Sequence, residues 1–198
     1  MRCYPIELTC PVCGPIGHLA IGKISYRFES GEYCSGYSQD GYCADCNKMV
    51  LAEKFPSQLE LEFQLERAFE NDKATLARCH MELTSLRTGF MAAWLHSARI
   101  KDLEEQIAST RLRMSQQLLY AKICARRRES PRCCECGSAN ITSYGDRFRS
   151  LKLPDQSSVS TSIAHPPCGQ YVSARKLEFA LIGEPPLFEL TPEGEPIP

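Results

Sequence analysis

The stretch Cys10-Pro11-Val12-Cys13-Gly14 decides the fold of this chain. Two thiolates separated by two residues can bind one metal ion from a single tight turn, and the next residue then needs a left-handed backbone, which glycine adopts without steric cost. The arrangement occurs three more times, and Gly or Asn, the residues that tolerate positive φ best, follows each copy. The further copies are Cys43-Ala44-Asp45-Cys46-Asn47, Cys133-Cys134-Glu135-Cys136-Gly137 and His165-Pro166-Pro167-Cys168-Gly169.

Four such turns predict two four-coordinate sites. Zinc is the expected metal, because it takes Cys and His ligands in closed tetrahedral sites. Nearly equal gaps separate Cys13 from Cys43 and Cys136 from His165, which indicates that each end of the chain closes its own site. The predicted ligands are Cys10, Cys13, Cys43 and Cys46 for one zinc ion, and Cys133, Cys136, His165 and Cys168 for the other.

Cysteine usage is heavy, with 12 in 198 residues, and disulfide bonds are the rival explanation for it. The N-terminus has no apolar signal-peptide core, and no run approaches the roughly 18 apolar residues of a membrane helix. A cytoplasmic, reducing setting with metal-bound thiolates is therefore expected, without a membrane partner. The five other cysteines are expected to be small buried or half-buried thiols: Cys3, Cys34, Cys79, Cys124 and Cys134.

The middle of the chain has helical composition. From Ser57 to Arg128 there is no proline, and Gly89 is the one glycine. Ser57 and Glu60 have the spacing of a capping box, which predicts where the helix begins. Apolar residues then recur at spacings of three and four, with interruptions at Glu104 and Arg111. This pattern is typical of a coiled-coil-like seam.

A single helix of this length cannot cover its own apolar stripe. It must pair with another chain, as in a homodimer, or fold back into a hairpin at Gly89, where an interior glycine weakens a helix. Because no proline or polar loop accompanies Gly89, the long helix is slightly favoured and the hairpin is the alternative.

The expected fold class is α+β, with two small zinc β-ribbons joined by a long coiled-coil-like helix or helical hairpin. A ribbon of this size buries too little apolar surface to fold alone, so zinc must stabilise it. The tail is acidic and rich in proline, so it is expected to be disordered. The predicted segments are an N-terminal ribbon at 1–56, the helix or hairpin at 57–130, a C-terminal ribbon at 131–182 and the tail at 183–198.

Both ends resemble the zinc-ribbon (zinc β-ribbon) superfamily, over about residues 8–55 and 131–180, through the Cys-Pro-x-Cys-Gly turn and its three partners. The resemblance implies zinc binding by the eight ligands named above. It does not imply one function, since zinc ribbons occur in transcription factors, RNA polymerase subunits, topoisomerases and ribosomal proteins, and many of them bind other proteins.

The leading hypothesis is a non-enzymatic adaptor or regulator that binds a protein partner, and a component of nucleic-acid machinery is one candidate for that partner. A net charge of −1 weakens the case for a polyanion ligand, and closed metal sites leave no position for a catalytic water. The alternative is direct binding of DNA or RNA, because residues 99–128 hold eight bases and three acids. Its candidate residues are Arg111, Arg113, Lys122, Arg126, Arg127, Arg128, Arg147 and Arg149.

Overall fold

The computed structural model describes residues 6–19, 22–88, 97–127, 131–145, 147–148, 150–154, 157–177 and 185–198. The chain divides into two compact units. The strand unit comprises Met1–Phe55 and Ala125–Pro198, and the helical unit comprises Pro56–Cys124. The helical unit is thus an insertion in the sequence of the strand unit. In the described part of the chain, neither helix is both long enough and apolar enough to span a membrane.

Two sheets form the strand unit. The first has the order β2-β1-β8-β7 and the second the order β5-β4-β3-β9, with β6 paired to β4. All described pairs are antiparallel except β3 with β9. The strands are β1 Ile6–Cys10, β2 Gly14–Leu19, β3 Lys23–Arg27, β4 Tyr33–Cys43, β5 Lys48–Lys54, β6 Ile141–Gly145, β7 Ser158–Ala164, β8 Tyr171–Lys176 and β9 Leu187–Leu190.

The predicted fold class is wrong in its central feature, because the ribbons are not separate units at the chain ends. β1 pairs with β8, so that Ile6 lies opposite Lys176 and Thr9 opposite Ser173. β4 likewise pairs with β6, with Cys43 opposite Ile141. Each terminal hairpin is too small to bury a core alone, and pairing with strands from the other end satisfies its free backbone groups.

One apolar core joins strands from both ends. Its largest fully buried members include Leu8, Tyr42 and Phe148, each at most 2% exposed. Gly17, with φ of +129°, lets β2 approach β5, since a Cβ atom there would lie 3.3 Å from Met49. Leu8 comes from before the helical insertion and Phe148 from after it, so this core also forms only when both ends assemble.

The helical unit contains α1 Gln58–Arg87 and α2 Ser97–Arg126. The predicted capping box is confirmed: the Glu60 amide donates to the Ser57 hydroxyl, and the Ser57 amide donates to the Glu60 carboxylate at 2.9 Å. The predicted single long helix is wrong. The proposed hinge at Gly89 lies outside the described residues.

The two helices pack antiparallel, which covers much of the apolar stripe within the chain. Cys79 and Leu83 of α1 cluster with Leu103 and Ile107 of α2. Ion pairs fix the register: Arg99 contacts Glu82 at 2.7 Å, and Arg113 contacts the buried carboxylate of Asp72. Glu104 and Arg111, the interruptions in the predicted stripe, are exposed, because the buried positions around them in α2 are those of Leu103, Ile107 and Thr110.

The tail is also more ordered than its composition predicts. Residues 187–190 form β9, which runs parallel to β3 with Ile24 opposite Phe188. Beyond it, the Arg132 guanidinium contacts the Glu195 carboxylate. An edge strand with unpaired backbone groups and nearby arginines therefore orders part of an acidic, proline-rich segment.

A buried carboxylate joins the two halves of the strand unit. Glu53 is fully buried and accepts hydrogen bonds from the Tyr26 hydroxyl at 2.8 Å and from Nη1 of Arg127 at 2.6 Å. The Arg132 amide donates to its other oxygen at 2.8 Å. Arg127 also lies over the Phe55 ring, 5.2 Å from its centroid. Glu53 therefore connects the end of β5 to the chain just after α2.

Replacing Glu53 tests this connection. In Glu53→Gln, the mostly buried guanidinium of Arg127 loses its counter-charge, and we expect the free energy of unfolding in urea to fall by about 3–5 kcal/mol. The matched control is Glu189→Gln, which breaks an exposed pair with Arg27 and should cost at most about 1 kcal/mol. Equal losses in the two variants would contradict the role of Glu53.

Candidate metal centres

The structure brings the eight predicted ligands together in two groups, but the predicted pairing is wrong. Within each group the candidate ligand atoms all lie within 4.8 Å of one another. Each group takes one pair of ligands from before the helical insertion and one pair from after it. The first centre is Cys10, Cys13, His165 and Cys168, and the second is Cys43, Cys46, Cys133 and Cys136.

Strand pairing explains the first centre. Cys10 ends β1 and Cys13 lies in the following turn, while His165 and Cys168 lie in the turn between β7 and β8. Because β1 and β8 are antiparallel neighbours, the turn after β1 and the turn before β8 meet at the same end of the sheet. The ligands therefore converge through backbone pairing between the two ends of the chain.

The second centre forms in the same way at the other sheet. Cys43 ends β4, and Cys46 lies in the turn before β5. The Cys133 turn is held alongside by backbone hydrogen bonds, from the Cys134 amide to the Leu51 carbonyl at 3.0 Å and from the Ala44 amide to the Asn140 carbonyl at 3.0 Å.

Local backbone geometry agrees with metal-binding turns. The residue after each turn has positive φ, as predicted: Gly14 at 84°, Asn47 at 51°, Gly137 at 74° and Gly169 at 70°. Amide groups also point at the sulfur atoms: the amide of Cys46 donates to Sγ of Cys43, and that of Glu135 to Sγ of Cys133, both at 3.4 Å. Such hydrogen bonds stabilise thiolates.

The sulfur separations fit one ion in each centre. In the second centre, Sγ of Cys43 lies 3.7 Å from that of Cys136 and Sγ of Cys46 lies 3.9 Å from that of Cys133. In the first centre, Sγ of Cys10 lies 3.4 Å from that of Cys168. A tetrahedral ion with metal–sulfur bonds of about 2.3 Å places its ligand atoms about 3.8 Å apart. The separations are far longer than a disulfide bond of about 2.05 Å. Donor type and spacing therefore suit a metal ion such as zinc in both centres.

His165 gives the first centre a different charge from the second. Its Nδ1 lies 3.4 Å from Sγ of Cys168, and its buried Nε2 has no hydrogen-bond partner among the described residues. Burial lowers the pKa of His165, which favours the neutral imidazole that binds metals. With a divalent ion, three thiolates and one imidazole carry a net charge of −1, whereas four thiolates carry −2.

Lys48 lies where it can offset the larger charge of the second centre. Its Nζ contacts the Glu135 carboxylate at 2.7 Å. This hydrogen bond, with the nearby charges of Glu135, Cys46 and Cys133, raises the pKa of Lys48 and keeps it protonated.

Without a cation, the sulfur atoms of one centre cannot all ionise. Burial opposes ionisation of Cys10, but hydrogen bonds from the backbone of Cys13 and Val12 and from Cys168 outweigh it and lower the pKa of Cys10. The hydrogen bond with Cys168, burial and neighbouring sulfur charges raise the pKa of Cys13 to about 11. Burial chiefly raises the pKa of Cys133 to about 11. Metal binding must therefore release protons, so affinity should fall as the pH is lowered.

The other described cysteines lie outside both centres and are buried, as expected. They are Cys34, Cys79, Cys124 and Cys134, and Cys3 is outside the described residues. Cys134 is the informative case, since it follows a ligand directly. Burial strongly raises its pKa, and its thiol belongs to neither ligand group.

The residues predicted for nucleic-acid binding divide into three kinds. Arg113 pairs with Asp72, and Arg127 is bound to the buried Glu53. Arg128 and Arg149 lie outside the described residues. The exposed members are Arg111, Lys122, Arg126 and Arg147. Of the six that the structure describes, Arg113 and Arg127 thus already have intramolecular counter-charges.

Adjacent cysteines provide a matched test of the second centre. Cys133→Ala removes a ligand and should lower the bound zinc, measured by elemental analysis, from two ions per chain toward one. Cys134→Ala removes a buried thiol of the same size two residues from Cys136 and should keep both ions. Loss of zinc in Cys134→Ala alone would contradict the ligand assignment.

Comparisons with known proteins add nothing to the resemblance to zinc ribbons, which therefore rests on the turn motifs. No family model matches this chain, and neither a characterised protein nor a solved structure is significantly similar to it.

Proposed function

We propose that the protein is a non-enzymatic adaptor or regulator, stabilised by two structural zinc ions, that binds a protein partner. The observation that carries this proposal is the completeness of the two ligand sets. Each supplies four protein donors, which leaves a tetrahedral ion no open position for a water or substrate. Sets of four cysteines, or of three cysteines and one histidine, are those that zinc takes in structural sites.

The placement of the ligands also supports a structural role. Each ion would cross-link a turn before the helical insertion to a turn after it, and so hold the two ends of the strand unit together. Closing such long loops carries a large entropic cost in the unfolded chain. Structural zinc has an apparent binding free energy of about 10–16 kcal/mol in small peptides, enough to offset a cost of this kind.

The helical unit supplies the candidate surface for a protein partner. Leu59 and Phe63 are 77% and 62% exposed and lie one turn apart on the same face of α1. Neighbouring exposed apolar side chains on a helix are typical of a surface that docks against another protein. The reason to expect a homodimer is weaker than the sequence suggests, because α1 and α2 cover the stripe around Leu83 and Leu103 within one chain.

Affinity capture with matched variants tests the partner. We expect Leu59→Ser combined with Phe63→Ser to lose a specific protein that the wild type retains from its native host. Met81→Ser is the control, since Met81 is 69% exposed on the same helix and the described residues place no large exposed apolar side chain one turn away from it. Circular dichroism should show equal helix content in all three proteins.

Cobalt substitution tests the enzymatic alternative. Tetrahedral cobalt bound to thiolates absorbs visible light, and in closed sites the spectrum should not change when cyanide or azide is added. A spectral change would reveal an open coordination position. That result would contradict a purely structural role for the metal and would favour catalysis.

A further inference from the structure

The second sheet has an outward face that neither the metal centres nor the apolar core uses. On β4, Cys34 is fully buried, whereas Tyr33 and Tyr37 are 50% and 54% exposed. Because side chains alternate along a strand, Tyr33, Ser35 and Tyr37 lie on the same outward side. The two tyrosines are four residues apart, so their Cα atoms are about 13–14 Å apart.

Basic residues flank these tyrosines. Arg27 of β3 lies opposite Tyr33, and Lys54 of β5 lies opposite Tyr37. Residues directly opposite in an antiparallel pair share a face. Lys23 is exposed and starts β3, beside Leu187 of β9.

The face is positively charged although the chain as a whole has a net charge of −1. Two basic residues, Lys23 and Arg27, line it together with one acid, Glu189. Glu189 and Arg27 form an exposed pair at 3.5 Å. An exposed pair of this kind contributes little stability, so a phosphate can replace the carboxylate at low cost.

Between the tyrosines the surface is concave. A cavity of about 580 Å³ is lined by Tyr33, Tyr37 and Leu187 and by the small side chains of Ser25 and Ser35. Ser25 lies opposite Ser35 in the sheet, so the middle of the face holds hydroxyl groups rather than bulky side chains.

We infer that this face, called the tyrosine face, binds single-stranded nucleic acid. Unpaired bases would stack on the rings of Tyr33 and Tyr37, Lys23 and Arg27 would contact phosphates, and the serine hydroxyls would contact the intervening backbone. Exposed aromatic rings interleaved with basic residues are the combination that single-stranded nucleic acids require. A duplex has no unstacked bases to offer, so the face should discriminate against it.

This inference differs from the nucleic-acid surface predicted from the sequence, since it uses none of those eight residues. It also does not depend on the proposed protein partner, which would contact Leu59 and Phe63. The two proposals can therefore fail separately.

Fluorescence anisotropy of the zinc-loaded full chain tests the inference. The probes are labelled single-stranded RNA and DNA of mixed sequence and about ten nucleotides, with a duplex of the same sequence. We expect either single strand to bind at low salt, and more tightly than the duplex. With two phosphate contacts, the logarithm of the affinity should fall with the logarithm of salt with a slope of about −1.4.

Variants separate stacking from charge. Tyr33→Ala and Tyr37→Ala should each weaken binding at least about fivefold, whereas the two Tyr→Phe variants should bind like the wild type, because stacking needs the ring and not the hydroxyl. Lys23→Gln combined with Arg27→Gln should remove most of this salt dependence, a change in slope of about 1.4. The control is Tyr171→Ala, since Tyr171 is 59% exposed on the other sheet.

Zinc content and thermal melting verify that each variant is folded. The inference is overturned if no single strand binds at low salt, if the duplex binds equally well, or if the Tyr33 and Tyr37 truncations bind like the wild type. It is also overturned if Tyr171→Ala weakens binding as much as they do. Preference between the RNA and the DNA probe then identifies the natural class of ligand.

Discussion

Convergence of two ligand turns from opposite ends of the chain on one candidate metal centre is the constraint on which the strand unit depends. The two centres are nested in the sequence. The inner centre closes the loop between Cys46 and Cys133, and the outer centre closes the longer loop between Cys13 and His165. Once the inner centre forms, the outer turns are already near one another, which lowers the entropic cost of closing the outer centre. The strand unit is thus held by long-range contacts that local structure alone could not maintain.

Glu53 complements the metal centres at the point where the chain leaves and re-enters the strand unit. The main chain departs for α1 just after β5, and Arg127 follows directly on the end of α2. By bonding both to Arg127 and to the Arg132 amide, Glu53 fixes the return of the chain beside the place where it left. A buried charge needs such partners, so this interaction also makes the register of the re-entering segment specific.

Short motifs in the sequence predicted local structure correctly, whereas the spacing between distant motifs did not predict which of them lie together. The ligand residues, the positive φ after each turn and the capping box at Ser57 follow from short motifs with direct physical causes. The pairing of the ligands does not, because it depends on β1 meeting β8 across the helical insertion. The similar gaps after Cys13 and Cys136 favoured the wrong pairing, since a repeated spacing carries no information about which strands are neighbours.

The helices and the tail show the same limit. A single stripe drawn through the whole helical segment met Glu104 and Arg111, whereas α2 buries Leu103 and Ile107 against α1. The buried face of an amphipathic helix can be predicted only within that helix. The next helix has a buried face of its own, which the pattern of the first does not determine. In the tail, β9 is ordered by an available strand edge, which composition does not reveal.

The pairing of ligands is tested most directly by replacing the metal with a cadmium isotope visible by NMR and correlating each cadmium nucleus with the β-protons of its cysteines. One cadmium should correlate with Cys10, Cys13 and Cys168 and with the ring of His165, and the other with Cys43, Cys46, Cys133 and Cys136. A single cadmium that correlates with both Cys10 and Cys43 would contradict the account.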